Sequence, residues 1–226
     1  MDLIPRGARL LCLSPHPDDV EFGLGATLDM YRDRCEVLLV VFSDRLKTRG
    51  ETRNDEDQRA AAKELGIDGA SVKFIDELGL GESRLPVRFF GAEENRDIIR
   101  RVATHLADTF EPTTIFVPSV NENMQDHLAM AEEVVRVVRG PATILGYEVP
   151  KHNRRFEPTA FVTVSEENLA AKVRSVNKYT EFTNRYYFEG DAIKSLARVR
   201  ALHAGFFGFV EAFEVYRLYC GGVPAA

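Results

Sequence analysis

The residues best equipped for chemistry cluster in "SPHPDDVEFGLGATL", residues 14–28, where His16, Asp18, Asp19 and Glu21 follow directly on the apolar run "ARLLCL". Three carboxylates at the end of a buried strand are electrostatically costly unless a cation offsets them. Gly23 and Gly25 at a strand-to-helix junction first suggest a phosphate loop. That reading fails, because the third glycine of a dinucleotide fingerprint is missing and the acids ahead of the glycines would repel a pyrophosphate. A divalent metal site is the second reading: His16 and Asp19 turn inward together, with Asp18 beside them, and both are zinc ligand types. A catalytic zinc needs a third protein ligand and an open position. At another loop of the same rim, "NENMQDHLAMAE" offers His127 at the start of a helix.

The elements that must position these residues alternate between strand-like and helix-like patterns. Strands are expected at 8–13, 35–43, 71–75, 113–118 and 142–149, and helices at about 21–32, 55–65, 95–110 and 127–139. Non-alternating apolar runs separated by helices indicate an α/β fold, a Rossmann-like parallel sheet flanked by helices, whose ligands bind beyond the carboxyl ends of the strands. Residues 14–21, 43–54, 76–91, 118–127 and 148–157 then share one rim. Beyond residue 158, the strand "AFVTVS", helices at about 166–178 and 191–204, and the strand "GFVEAFEVYRLY" read as a C-terminal extension of the same domain. Residues 1–226 are therefore expected to form a single domain.

A net charge of -6 with no concentrated Lys/Arg block disfavours nucleic acid as a partner and favours a small molecule. Cys12, Cys35 and Cys220 lie far apart in or beside apolar runs, which points to buried thiols in a reducing compartment rather than to a disulfide framework. The N-terminal "LLCL" is too short for a signal-peptide core, and no apolar stretch approaches membrane-spanning length, so the cytoplasm is the expected location.

"HPDDVEFGLGATL" together with "PSVNENMQDH" resembles the LmbE/PIG-L family of zinc-dependent deacetylases, which includes N-acetylglucosaminyl-phosphatidylinositol de-N-acetylase and the mycothiol- and bacillithiol-pathway deacetylases. The resemblance extends to "AAAKELGI", "ILGYEVP" and "VEAFEVYRLY". It implies that His16, Asp19 and His127 hold Zn²⁺ and that Asp18 is the general base. Zinc polarises an amide carbonyl and lowers the pKa of water towards roughly 7 while a neighbouring carboxylate takes the proton, so amide hydrolysis is the implied chemistry. The implied partner is an N-acyl amino sugar or related metabolite, with no nucleic acid and no membrane; a homo-oligomer is compatible with the chain. A plainer reading of "HPD" is a capped helix start, in which Asp accepts the first-turn N–H groups. Glu21 fits a structural role in that turn.

The chain departs from the family at Met124, three residues before His127, where the family carries a histidine thought to assist the tetrahedral intermediate or the leaving amine. A thioether neither donates a hydrogen bond nor titrates. His152 in "YEVPKHNRRF" is the candidate replacement, with Asn121 and Asn123 as alternatives and His105 and His203 read as surface or packed residues. Arg49, Arg53 and Arg59 read equally as a grip on substrate and as part of a solvated charged helix; Arg53 and Glu56 have the family's three-residue spacing but stand one residue out of register. The loop "DELGLGESRLPVRFFG" is expected to cover substrate, with its Phe89 and Phe90 read equally as core residues. Two rivals remain: a non-catalytic relative that binds a sugar-like ligand, and a two-metal phosphoesterase, which would need more acids at other strand ends.

Overall fold

The computed structural model describes residues 3–44, 55–86, 88, 92–153, 155–179 and 189–220. The five apolar runs become β1 (Arg9–Ser14), β2 (Glu36–Val41), β3 (Val72–Phe74), β4 (Thr114–Pro118) and β5 (Thr143–Tyr147). Helices α1 (Asp19–Tyr31), α2 (Asp55–Glu64), α3 (Glu93–Phe110) and α4 (Gln125–Val137) alternate with them. The C-terminal part adds β6 (Ala160–Val164), α5 (Glu166–Val176), α6 (Gly190–His203) and β7 (Phe209–Arg217). Among the described residues, no helix is long and apolar enough to cross a membrane.

The Rossmann-like expectation holds. One seven-stranded sheet runs β3-β2-β1-β4-β5-β7-β6, parallel from β3 to β5 and antiparallel where β7 meets β5 and β6. The last strand thus inserts between the fifth and sixth. Burial explains why: the first six residues of β7 are all buried, as an interior strand requires, whereas β6 carries half-buried and exposed positions suited to an edge. Successive side chains of the parallel strands serve opposite cores. Leu11, Leu13, Val40 and Ile115 pack under α3 and α4, and Leu10, Cys12, Leu39 and Phe116 pack under α1, α2, α5 and α6. Cys12 is buried, Cys35 half-buried and Cys220 exposed, all three as free thiols, so the buried-thiol expectation holds for Cys12 alone.

Chain order reverses between β1 and β4, and the crevice outside their carboxyl ends is where such a sheet takes its ligands. The turn after β1 and the loop after β4 border that crevice. Helix α1 opens there at Asp19, two residues earlier than expected, and is broken at Leu24, whose φ of -142° is not helical. Just beyond the break, the N–H groups of Ala26 and Thr27 donate to the carboxylate of Glu211 on β7, at 3.2 and 2.6 Å. Lys172 on α5 neutralises the same carboxylate at 2.5 Å. Gly23 lies at this break because a Cβ there would collide with the Tyr147 ring, whose hydroxyl donates to the Leu13 carbonyl at 3.0 Å. The glycine serves close packing, not phosphate binding.

Candidate metal centre

The "SPHP" turn is fixed by its own strand end and by the segment that follows β2. The Ser14 hydroxyl donates to the His16 carbonyl at 2.6 Å, and Ser43 donates to the Pro15 carbonyl through both its N–H and its hydroxyl, at 3.1 and 2.8 Å. Asp18 precedes α1 with φ 87°, a left-handed conformation that Asp tolerates better than most residues at a cost of about 1 kcal/mol or more. Its side chain makes no capping hydrogen bond, so the capped-helix reading of this turn does not hold. The Asp19 carboxylate instead accepts the His16 N–H at 3.0 Å and lies 3.2 Å from His16 Nδ1.

The other wall is the loop from β4 to α4. Glu214 on β7 accepts from Ser119 at 2.7 Å, Asn121 at 2.9 Å and Tyr216 at 2.5 Å, and the Tyr216 hydroxyl accepts the Val120 N–H at 2.7 Å. Further along, Glu122 bridges to Asn153 as an isolated antiparallel pair, and the Asn123 N–H donates to the His152 carbonyl at 3.1 Å. So anchored, the first turn of α4 sets His127 in the crevice. Its Nε2 lies 3.2 Å from Asp19 Oδ2, and its ring centroid lies 5.5 Å from that of His16.

His16, Asp19 and His127 each offer a ligand atom, all within 4.8 Å of one another, and the three side chains are 2%, 1% and 0% exposed. Burial disfavours a charged His127, but the Asp19 carboxylate, and Glu122 after it, outweigh burial and hold its pKa up at about 10. Burial likewise opposes ionised Asp19, yet His127 and His16 keep it well below the usual carboxylate range. Both ring nitrogens of His127 lack a hydrogen-bond partner although fully buried. Two imidazoles and a carboxylate converging on one point, with buried nitrogens left over and further acids around them, fit a divalent cation.

Asp18 is 3% exposed at the same turn. His152 is half-buried with its ring 5.5 Å from that of His127, edge-on, so the two loops bring the candidate helper to the centre. Asn121 is committed to Glu214. Arg59 is held by Glu77 at 2.7 and 2.9 Å and by Asp55 at 3.6 Å, which makes it part of a charged helix face rather than a free grip. Arg49, Arg53, Phe89 and Phe90 lie outside the described residues. His105 lies half-buried on α3, and His203 is exposed on α6 beside Arg200. Glu21 is structural but not at the surface: it accepts from Gln58, which in turn accepts from Tyr179 at 2.9 Å, and burial raises its pKa to about 8.

Reading the sequence missed two acids. Asp126 Oδ2 lies 3.0 Å from His16 Nε2, and Glu122 Oε2 lies 3.8 Å from His127 Nδ1. Their signal was their place beside His127 in "NENMQDH", but which histidine each would face depends on how the two loops meet.

Known proteins show the same framework. A 175-residue stretch is 27% identical to YaiS of Escherichia coli K12, named an uncharacterized deacetylase, covering 75% of this chain and 89% of that protein. The fold matches the antibiotic A40926 pseudoaglycone deacetylase Dbv21 with a TM-score of 0.72 at 17% identity, over 96% of this chain and all of that one. It also matches N,N'-diacetylchitobiose deacetylase of Pyrococcus horikoshii with a TM-score of 0.68 at 16% identity, over 92% and 83%. The PIG-L family, described as GlcNAc-PI de-N-acetylase, matches residues 11–138, a span from β1 to the end of α4 that holds both walls of the crevice, and the chain belongs to that family.

Proposed function

We propose that the protein is a zinc-dependent hydrolase that removes an N-acyl group, acetyl in the first instance, from an amino sugar or related small metabolite. The observation that carries this reading is the buried His16–Asp19–His127 set with both His127 ring nitrogens lacking hydrogen-bond partners. His16, Asp19 and His127 would hold the ion, which would polarise the amide carbonyl and lower the pKa of water towards roughly 7. The remaining work belongs to the chain. The Asp18 carboxylate, buried at the turn before α1, accepts a proton from the attacking water and returns it to the leaving nitrogen as the C–N bond breaks, so that an acid and an amine result. His152, edge-on to His127, supplies the hydrogen-bond donor that Met124 lacks. Deacetylases of N,N'-diacetylchitobiose and of the A40926 pseudoaglycone among the neighbours support a sugar-like substrate.

Met124, half-buried at the N-cap of α4, favours a second reading, an impaired relative that keeps zinc and a sugar-like ligand without turnover. Zinc content by mass spectrometry and amine release across N-acetyl amino sugars separate the two. About one zinc per chain with release of free amine is expected. A chain that holds zinc yet releases no amine favours the second reading, and one that takes up no metal sinks both.

A further inference from the structure

We propose that Glu122 is a positioning residue, whose carboxylate orients the His127 imidazole from behind so that Nδ1 carries the proton and Nε2 faces the centre. The inference rests on the metal-binding reading above. The Glu122 side chain has no exposure, and neither of its oxygens has a hydrogen-bond partner. A buried carboxylate in that state is expensive unless a complementary group stands close. His127 Nδ1, at 3.8 Å, is that group, and it too is fully buried.

The other imidazole shows the same device already closed. His16 turns Nδ1 towards Asp19 at 3.2 Å, and Asp126 takes its Nε2 at 3.0 Å. His127 reverses the nitrogens, with Nε2 towards Asp19 at 3.2 Å and Nδ1 towards Glu122. Each histidine therefore has a carboxylate behind it, and the two rings require opposite tautomers. Carboxylates placed this way fix the tautomer and orientation of a ligating histidine. Glu122 is also held independently of the helix that carries His127, through its bridge to Asn153 and the hydrogen bond from Asn123 to the His152 carbonyl. It can thus set the ring without moving with it.

The test combines zinc affinity, by competition with a chromophoric chelator, with long-range ¹H–¹⁵N spectra of the histidines, in the parent protein, Glu122→Ala and Glu122→Gln. In the zinc-loaded parent, His127 should carry its proton on Nδ1 and His16 on Nε2. Glu122→Ala should weaken zinc about 10- to 100-fold and broaden or shift the His127 Nδ1 signal while leaving His16 unchanged. Glu122→Gln, which keeps the size and one acceptor oxygen, should lose less affinity and keep the tautomer; it also carries the test should the alanine variant not fold. A zinc-loaded parent with His127 protonated on Nε2 overturns the proposal, as does unchanged affinity in both variants. A parent that takes up no zinc removes the metal-binding reading itself, an outcome distinct from either.

Discussion

Loss of Asp18 or of His152 should slow turnover without releasing the ion, because neither is one of the three residues that converge on one point. Asp18→Asn keeps the size of the side chain and leaves His16, Asp19 and His127 in place, so zinc content should be unchanged while kcat falls by about a hundredfold or more. Normal turnover in that variant would exclude Asp18 as the base. His152→Ala should lower kcat by roughly a hundredfold with zinc retained, the usual cost of one donor to a developing oxyanion. Met124→His, placed in the same variant, should restore part of that rate. If His152→Ala turns over like the parent, the donor lies elsewhere, with Asn123 next to be tested because Asn121 is occupied by Glu214.

At the scale of elements, α1 is two short helices joined at Leu24, and Glu211 serves as the cap of the second. The break lets the first turn, with Asp19 and Glu21, take its own direction at the crevice while the rest of α1 packs along α5. Glu211→Gln should still accept the Thr27 N–H but would leave Lys172 as an uncompensated buried charge. A loss of about 3 kcal/mol in urea denaturation is expected, the range for breaking one side of a buried pair. If stability is unchanged, Lys172 reaches water or another acid in the variant, and the ion pair contributes little.

On the scale of the whole molecule, Arg84 ties together segments that meet at the far side of the rim. Its guanidinium stacks 3.6 Å from the centroid of Phe74 and reaches Asp44 after β2 at 2.7 Å, Asp55 at the start of α2 at 2.7 Å and Asp76 after β3 at 2.9 Å. The hydrogen bonds from Arg84 hold the Asp55 carboxyl below its ordinary value. A carboxyl depressed by folding stabilises the protein above its unfolded pKa of about 3.9, and that contribution is lost as pH falls through the folded value. Asp55→Asn should therefore lower the melting temperature at pH 7, and the gap from the parent should narrow progressively as the pH falls below about 3.9. A gap that persists at low pH would mean that Asp55 acts through packing instead of charge.

The spacing of His16, Asp18 and Asp19 put three candidate site residues on one turn, and the run of strands and helices put that turn and His127 at the same end of a parallel sheet. Both were legible because they follow from local order: a short turn keeps its residues together, and a right-handed β–α–β unit returns each strand in the same direction. His152 was legible for the same reason, as a residue just past a strand end. The tertiary structure alone decided the pairing of side chains across long separations. Asp126 meets His16 across 110 residues, and Glu211 caps Thr27 across 184. Such contacts depend on how two loops are aimed and on β7 entering between β5 and β6, and hydrophobic periodicity carries information on neither. Local sequence can bring His16, Asp19 and His127 to one rim and Glu122 close to His127, but the acid that faces His16 comes from a segment that meets it only once the sheet has closed.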